Sequence, residues 1–257
     1  MTSKPRVELA LTPDSRWDVD TAGLVAAAAG AGFESIGLAV GSADAAGAAA
    51  LAAAGLRCHE VLALIVTDDE EATLDQARRV AAAAATVRAP WVLTGFRVGL
   101  DERSTALIAR CAALFADAGA GMAVEFSPLG GAKSIAAAVD VVEAAGPERA
   151  GVLIDTWHFF NGESTWEQLE QVPLDRIAYI QFDDALPPVS PNGIRETMHR
   201  RAMPGEGIFE LDRFATTLLD RGWSGLVSVE VLNAELRELP VPEFARRAYE
   251  TTVGYWR

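Results

Sequence analysis

Residues 116–126 read ADAGAGMAVEF. An alanine-rich helix gives way at glycine to a short apolar run, and that run stops on a carboxylate, Glu125. Glycine after a helix accepts the left-handed conformation that closes the last turn, so the segment is a helix end, a turn and a strand. The same grammar recurs in AAGAGFESI (28–36), AAAGLRCHEV (52–61) and LDRGWSGLVSVE (219–230). Working outward from these joins, eight apolar runs are predicted as strands: 7–11, 35–40, 57–65, 91–94, 122–126, 152–155, 177–182 and 226–231. A helix-length segment follows each, for example 22–29, 69–87 and 211–220, with a short one at 166–171 after the sixth strand. Strand–helix alternation throughout implies a parallel sheet. Eight units in 257 residues favour closure into one α/β domain, a (β/α)8 barrel over residues 1–257.

Composition agrees and excludes several classes. Half of the residues are hydrophobic, enough for a large core. With 36 acids against 22 bases the formal charge is −14. A surface of that sign repels phosphate backbones and anionic lipid, so neither nucleic acid nor a membrane is an expected partner. An acidic substrate would need local cations. Cys58 and Cys111 have no CxxC or metal spacing and read as buried free thiols in a reducing, cytoplasmic setting. Residues 1–6 are polar and run straight into the first strand, so no signal peptide is expected. No GxGxxG follows the first strand and no GxxxxGK[ST] occurs, which removes the usual support for nucleotide binding. The longest irregular stretch, 185–207, is rich in Pro, Gly and Arg, and a loop of that length in such a domain is a functional candidate.

Chemistry in such a barrel sits where strands end and βα loops begin. Strands five to eight each finish on a polar residue: MAVEF on Glu125, GVLID on Asp155, IAYIQF on Gln181 and LVSVEV on Glu230. An ionised carboxylate among valines is costly unless paired or bound to metal. A lone strand-end acid is equally a helix cap or an ion-pair partner, but four in register converge on one side of the mouth. Three carboxylates and an amide oxygen form an oxygen-rich site for one divalent metal, with Mn²⁺ or Mg²⁺ favoured and Co²⁺ or Zn²⁺ also compatible.

Further candidates surround these four. His158 follows Asp155 by three residues and reads as a substrate contact or acid–base group, the alternative being a satisfied core histidine. His59 and Glu60 are adjacent in the third strand, so one of them must face inward; Glu60 is the candidate substrate contact and His59 the core residue. Arg200 and Arg201 are either a solvated basic turn or a clamp for a substrate carboxylate or phosphate. Asp183 and Asp184 are placed to orient Gln181, His158 or an arginine. Trp157, with Trp17, Phe126 and Phe159, lines a pocket or the core.

The segments VEFSP, LIDTWHFF, YIQFDDA, RRAMPGEGIFEL and GLVSVEVL, in this order and at these strand ends, resemble the xylose isomerase-like TIM-barrel superfamily. That group includes sugar epimerases, hydroxypyruvate isomerase, inosose isomerase and dehydratase, 3-dehydroshikimate dehydratase and endonuclease IV. The resemblance spans nearly the whole chain and implies that Glu125, Asp155 and Glu230 bind a divalent metal and that His158 contacts substrate. Two departures stand out. Gln181-Phe182-Asp183-Asp184 replaces the family's H-x-x-D, and some dehydroshikimate dehydratases look similar there. Ser127 stands where some dehydratases carry a histidine of the base, which argues against that variety.

The chemistry expected from the resemblance is proton removal next to a carbonyl through a metal-stabilised enediolate. Glu125 and Glu230 would be the acid–base pair and His158 would polarise or protonate the substrate oxygen. The substrate is a small polyhydroxy carbonyl compound. Isomerisation or epimerisation is the first expectation, and dehydration of the 3-dehydroshikimate or inosose type the alternative. A non-catalytic metal- or sugar-binding barrel and an endonuclease IV-like repair enzyme rank below them, the last because it needs many histidines and this chain has three. A homo-oligomer remains open.

Overall fold

Polar caps and glycine exits set the rhythm of the chain. The computed structural model describes residues 6–257, so all but the last of the six residues read as a polar start lie outside the described residues. The alternation begins with β1 (Glu8–Leu11), α1 (Thr21–Ala31), β2 (Ser35–Ala39), α2 (Ala45–Ala54), β3 (Arg57–Val66), α3 (Glu70–Val87), β4 (Trp91–Phe96) and α4 (Glu102–Asp117). It continues with β5 (Gly121–Glu125), α5 (Ile135–Ala145), β6 (Ala150–Asp155), α6 (Thr156–Asn161), α7 (Trp166–Gln171) and β7 (Ile177–Phe182). After the insert described below come α9 (Leu211–Asp220), β10 (Leu226–Val229) and α10 (Val241–Trp256). Asp20, Asp44, Asp69 and Asp101 each accept a backbone N–H in the first turn of the helix that follows, satisfying a donor the helix cannot. Gly32, at φ 104°, closes α1 in the left-handed region that glycine enters freely.

Eight strands close in the order β1-β10-β7-β6-β5-β4-β3-β2, all parallel, as the alternation predicts. The main core lies between this barrel and its helices, with Phe115, Phe126, Phe182 and Phe214 fully buried. Inside the barrel, Leu93, Ala123, Leu153 and Tyr179 form a smaller cluster. Side chains alternate along a strand, so the residues two further on, Gly95, Glu125, Asp155 and Gln181, also face the axis, nearer the C-terminal mouth.

Two sequence expectations need correction. His59 and Glu60 are both buried, because the pairing of β2 with β3 skips from Ile36↔Cys58 to Gly37↔Glu60. A bulge of one residue breaks the alternation and lets both side chains join one polar cluster. The long loop is also partly ordered. The stretch 185–207 contains α8 (Gly193–His199), and β8 (Asp184–Ala185) pairs antiparallel with β9 (Arg201–Ala202). Asp184 holds this insert down by accepting the backbone N–H groups of Gly205, Gly207 and Phe209. Among the described residues no helix is long and apolar enough to cross a membrane.

Candidate metal centre

β5, β6 and β7 deliver Glu125, Asp155 and Gln181 to the mouth, and Glu230 follows the last residue of β10. Gln181 and Asp155 are completely buried, and Glu230 is 8% exposed. Register explains the convergence: Asp155 pairs with Gln181 across β6 and β7, and Ser228, two residues before Glu230, pairs with Gln181 on the other side.

Asp155 does two things at once. One carboxylate oxygen caps α6 by accepting the His158 backbone N–H at 2.8 Å, and the other accepts Arg201 Nη1 at 2.7 Å. The cap and ion-pair roles open to a strand-end acid are thus both filled, and the capped helix aims His158 back at the mouth. His158 Nε2 lies 3.6 Å from Glu125 Oε1. Glu125, Asp155 and His158 each offer one ligand atom, all within 4.8 Å of one another. The imidazole joins the donor set, whereas the sequence points to it as a substrate contact or acid–base group.

Arg201 is the residue whose place differs most from its sequence reading. It is 2% exposed. Its Nη1 reaches Asp183 at 2.6 Å and Glu230 at 3.1 Å as well as Asp155, Nη2 donates to Thr197 Oγ1, and Nε to the Thr197 carbonyl. Every nitrogen is engaged, so Arg201 is a buried counter-cation rather than an open anion clamp. Arg200 is bound to Glu196 at 3.0 Å and to the Pro187 carbonyl. It lines, with Trp157, Leu129 and Phe209, a rim cleft of about 290 Å³. Trp157 stands edge-on to His158, with ring centroids 5.3 Å apart.

Electrostatics follow from three carboxylates sharing one guanidinium. Burial and then the neighbouring Asp155 push the Asp183 carboxyl up to about 7, against the pull of Arg201. Burial likewise raises Glu230 well above the usual carboxylate range, with Asp155, Glu125 and Glu60 adding repulsion. Asp155 goes the other way: burial opposes its charge, but Arg201 and His158 outweigh it. Burial disfavours the charged form of His158, yet Asp155 and Glu125 hold its pKa above the ordinary value.

Gln181 is the exception in this network. Its Oε1 and Nε2 are both buried and neither has a hydrogen-bond partner. Leaving a buried amide unsatisfied costs on the order of 1–3 kcal/mol per group. A cation accepting the carbonyl oxygen removes that cost at Oε1, and the surrounding carboxylates carry the matching charge. The clustered donors Glu125, Asp155 and His158, with the unpartnered Gln181 amide paired in register to Asp155, therefore fit a divalent metal, and Glu230 follows the strand next to Gln181. A mixed oxygen and nitrogen set of this kind admits Mn²⁺, Co²⁺ or Zn²⁺ as well as Mg²⁺.

One level below lies the cluster built by the bulge. Glu60 accepts from Thr12 and from the Tyr179 hydroxyl across the barrel, and His59 Nε2 stands 3.1 Å from it. Thr12 Oγ1 is 2.6 Å from Ser228 Oγ. Burial opposes the Glu60 charge, but His59, Thr12 and Tyr179 outweigh it and hold the carboxyl below its ordinary pKa. Glu60 is fully enclosed and its carboxylate is engaged within this cluster, which places it at the floor of the barrel mouth. Thr12 and Tyr179 carry no sequence signal for this; only the barrel brings them together.

A closed eight-stranded parallel barrel with an acid-lined C-terminal mouth places the chain among the α/β barrels. The chain belongs to the xylose isomerase-like TIM barrel family, which it matches over residues 25–252. Among curated relatives, inosose isomerase of Halalkalibacterium halodurans is 34% identical over 116 residues, 45% of this chain and 40% of that protein. The 3-dehydroshikimate dehydratase of Pseudomonas aeruginosa is 28% identical over 101 residues, 39% of this chain and 16% of that protein. The chain thus spans less than half the length of these relatives in the matched region. Among solved structures, a xylose isomerase-like TIM barrel/4-hydroxyphenylpyruvate dioxygenase fusion protein superposes with a TM-score of 0.86 at 18% identity, covering 97% of this chain and 43% of that one. The IolI protein with a bound zinc atom superposes with a TM-score of 0.79 at 18% identity, covering 97% and 98%.

Proposed function

We propose that this chain is a divalent-metal-dependent enzyme that removes a proton from the carbon next to the carbonyl of a small hydroxy-carbonyl substrate, with isomerisation or epimerisation as the outcome. The unpartnered Gln181 amide among buried carboxylates carries this reading, since it marks a cation position at the strand ends where barrel chemistry sits. A metal bound there supplies Lewis acidity toward the negative charge that grows on the carbonyl oxygen. Glu125 keeps a solvent-facing edge, its side chain 16% exposed, and takes the proton. Glu230 stands as the second member of the acid–base pair. His158, beside Glu125, supplies a proton at the substrate oxygen. Relatives named as inosose isomerases support the isomerase outcome.

Dehydration is the second reading, favoured by one feature of the site. His158 is held toward its charged form against Glu125, which puts a proton donor for a leaving hydroxyl on the same side as the base. Relatives named as 3-dehydroshikimate dehydratases agree with it.

The test is proton exchange in D₂O by the manganese-loaded protein across a ketose, an inosose and 3-dehydroshikimate. Deuterium is expected at the carbon next to the carbonyl of at least one of them, and Glu125→Gln is expected to slow that exchange by about 10²–10⁴-fold. Product analysis separates isomer from dehydrated product. Metal-loaded protein that exchanges none of the three contradicts the reading.

A further inference from the structure

We propose that Arg97 is the anion anchor of this site and that the substrate carries a carboxylate; the inference rests on the proposed carbon-acid reading for the location of the reacting end. The chain is strongly acidic, so an anionic substrate needs a cation built into the mouth. The two arginines that sequence reading favoured are already committed: Arg201 to Asp155, Asp183 and Glu230, and Arg200 to Glu196 and the Pro187 carbonyl. Across the mouth, Arg16 and Arg237 both bind Asp14. Arg97 is exposed, and its guanidinium has no acceptor among the described residues.

Its position is set by the strand. Leu93 belongs to the barrel interior and Gly95 lies against Glu125, a Cβ added there standing 3.7 Å from Glu125 Oε2. The next residue in the alternation is Arg97. On the far side of Glu125 the same step from Gln181 leads to Asp183, whose side chain does turn inward to Arg201. Arg97 is the first residue past β4, and its N–H still donates to the Val66 carbonyl at 2.9 Å, so the backbone pairing with β3 runs one residue beyond the strand. The backbone is held from the other side as well. Gly131 donates to the Phe96 carbonyl at 2.7 Å, and a Cβ on Gly131 would fall 1.8 Å from the Val98 carbonyl oxygen. Only glycine allows that approach, so the loop after β5 clamps residues 96–98 beside Glu125.

A Cβ on Gly95 would meet Ile65 Cδ1 at 3.2 Å and Glu125 Oε2 at 3.7 Å, so glycine keeps a side chain from crowding the Glu125 carboxylate on this side. A substrate with its reacting carbon at Glu125 would lie across Gly95 with its far end at Arg97. One planar guanidinium matches a monoanionic carboxylate through two parallel hydrogen bonds, whereas a phosphate dianion would call for further donors.

The test is calorimetric titration of the manganese-loaded protein with shikimate, a ring hydroxy-carboxylate, with myo-inositol, a neutral ring polyol, and with inorganic phosphate. Shikimate is expected to bind most tightly. Arg97→Gln is expected to weaken it about tenfold or more, the scale of a lost charged hydrogen bond, and Arg97→Lys to restore part of the affinity, while myo-inositol binding stays unchanged. Shikimate affinity within about twofold of wild type in Arg97→Gln, an equal loss for myo-inositol, or phosphate binding as tight as shikimate would overturn the proposal, as would no shikimate binding at all. Gly131→Ala, which moves the clamp and keeps the cation, is expected to weaken shikimate less than Arg97→Gln; an intact affinity there removes the clamp from the account. Absence of D₂O exchange together with Arg97-dependent shikimate binding would defeat the catalytic reading and leave the anchor standing.

Discussion

The Glu60 cluster and the Arg201 cluster occupy successive levels of one barrel, and both bury charged groups where water is excluded. Glu60 is matched on the spot: Thr12, Tyr179 and His59 all face it, and its charge is held below its ordinary pKa. One level up, a single guanidinium serves Asp155, Asp183 and Glu230, two of those carboxyls are pushed up, and Gln181 has no partner for either amide atom. A buried polar network that satisfies its members is a structural element; one left short of positive charge is a place for a ligand. The contrast separates the floor of the site from its working part, although both are lined by acids.

Substitutions should widen that contrast. Arg201→Gln is expected to have the largest effect on the metal-free protein, a loss of about 3–5 kcal/mol, because it strands three buried carboxylates. Bound metal should offset much of this, and denaturant unfolding with and without Mn²⁺ measures both. Glu60→Gln is expected to cost less, about 1–3 kcal/mol, by weakening charged hydrogen bonds. It should leave metal affinity unchanged, so a large drop in that affinity would erase the distinction between the two clusters.

The most gradual expected effect is a slope with pH. The Asp183 carboxyl is raised from 3.8 to about 7 in the folded chain. Between those values the unfolded chain has lost this proton and the folded chain keeps it. Its contribution to stability is therefore complete below 3.8, declines as pH rises, and is gone above about 7. One such proton gives at most about 1.4 kcal/mol per pH unit. Metal-free protein should lose thermal stability across that window, and Asp183→Asn or added Mn²⁺ should flatten the loss. A slope that is unchanged in Asp183→Asn assigns it to another group.

Sequence legibility followed the same division. Strand ends and glycine exits are local signals, so the barrel and the strand-end quartet of Glu125, Asp155, Gln181 and Glu230 could be read from adjacent residues. Arg201 was legible as a candidate, and Asp183 as a residue that could orient an arginine, but the burial of Arg201 among three carboxylates was not, because these partners lie 46, 18 and 29 residues away and only the fold brings them to it. The burial of both His59 and Glu60 was hidden because a bulge is a property of the pairing with β2, not of β3 alone. Arg97 escaped notice because an exposed arginine at a strand end looks like any surface cation until the others are seen to be occupied.

The orphaned Gln181 oxygen is expected to mark a metal position. Titration of the metal-free protein with Mn²⁺, read by calorimetry and by elemental analysis after gel filtration, tests it most directly. One ion per chain is expected in the wild type, with affinity about 10-fold or more lower in Gln181→Ala and tight binding lost in Asp155→Asn and in Glu230→Gln. Stoichiometric binding that survives in all three variants, or no binding in the wild type, would contradict the account.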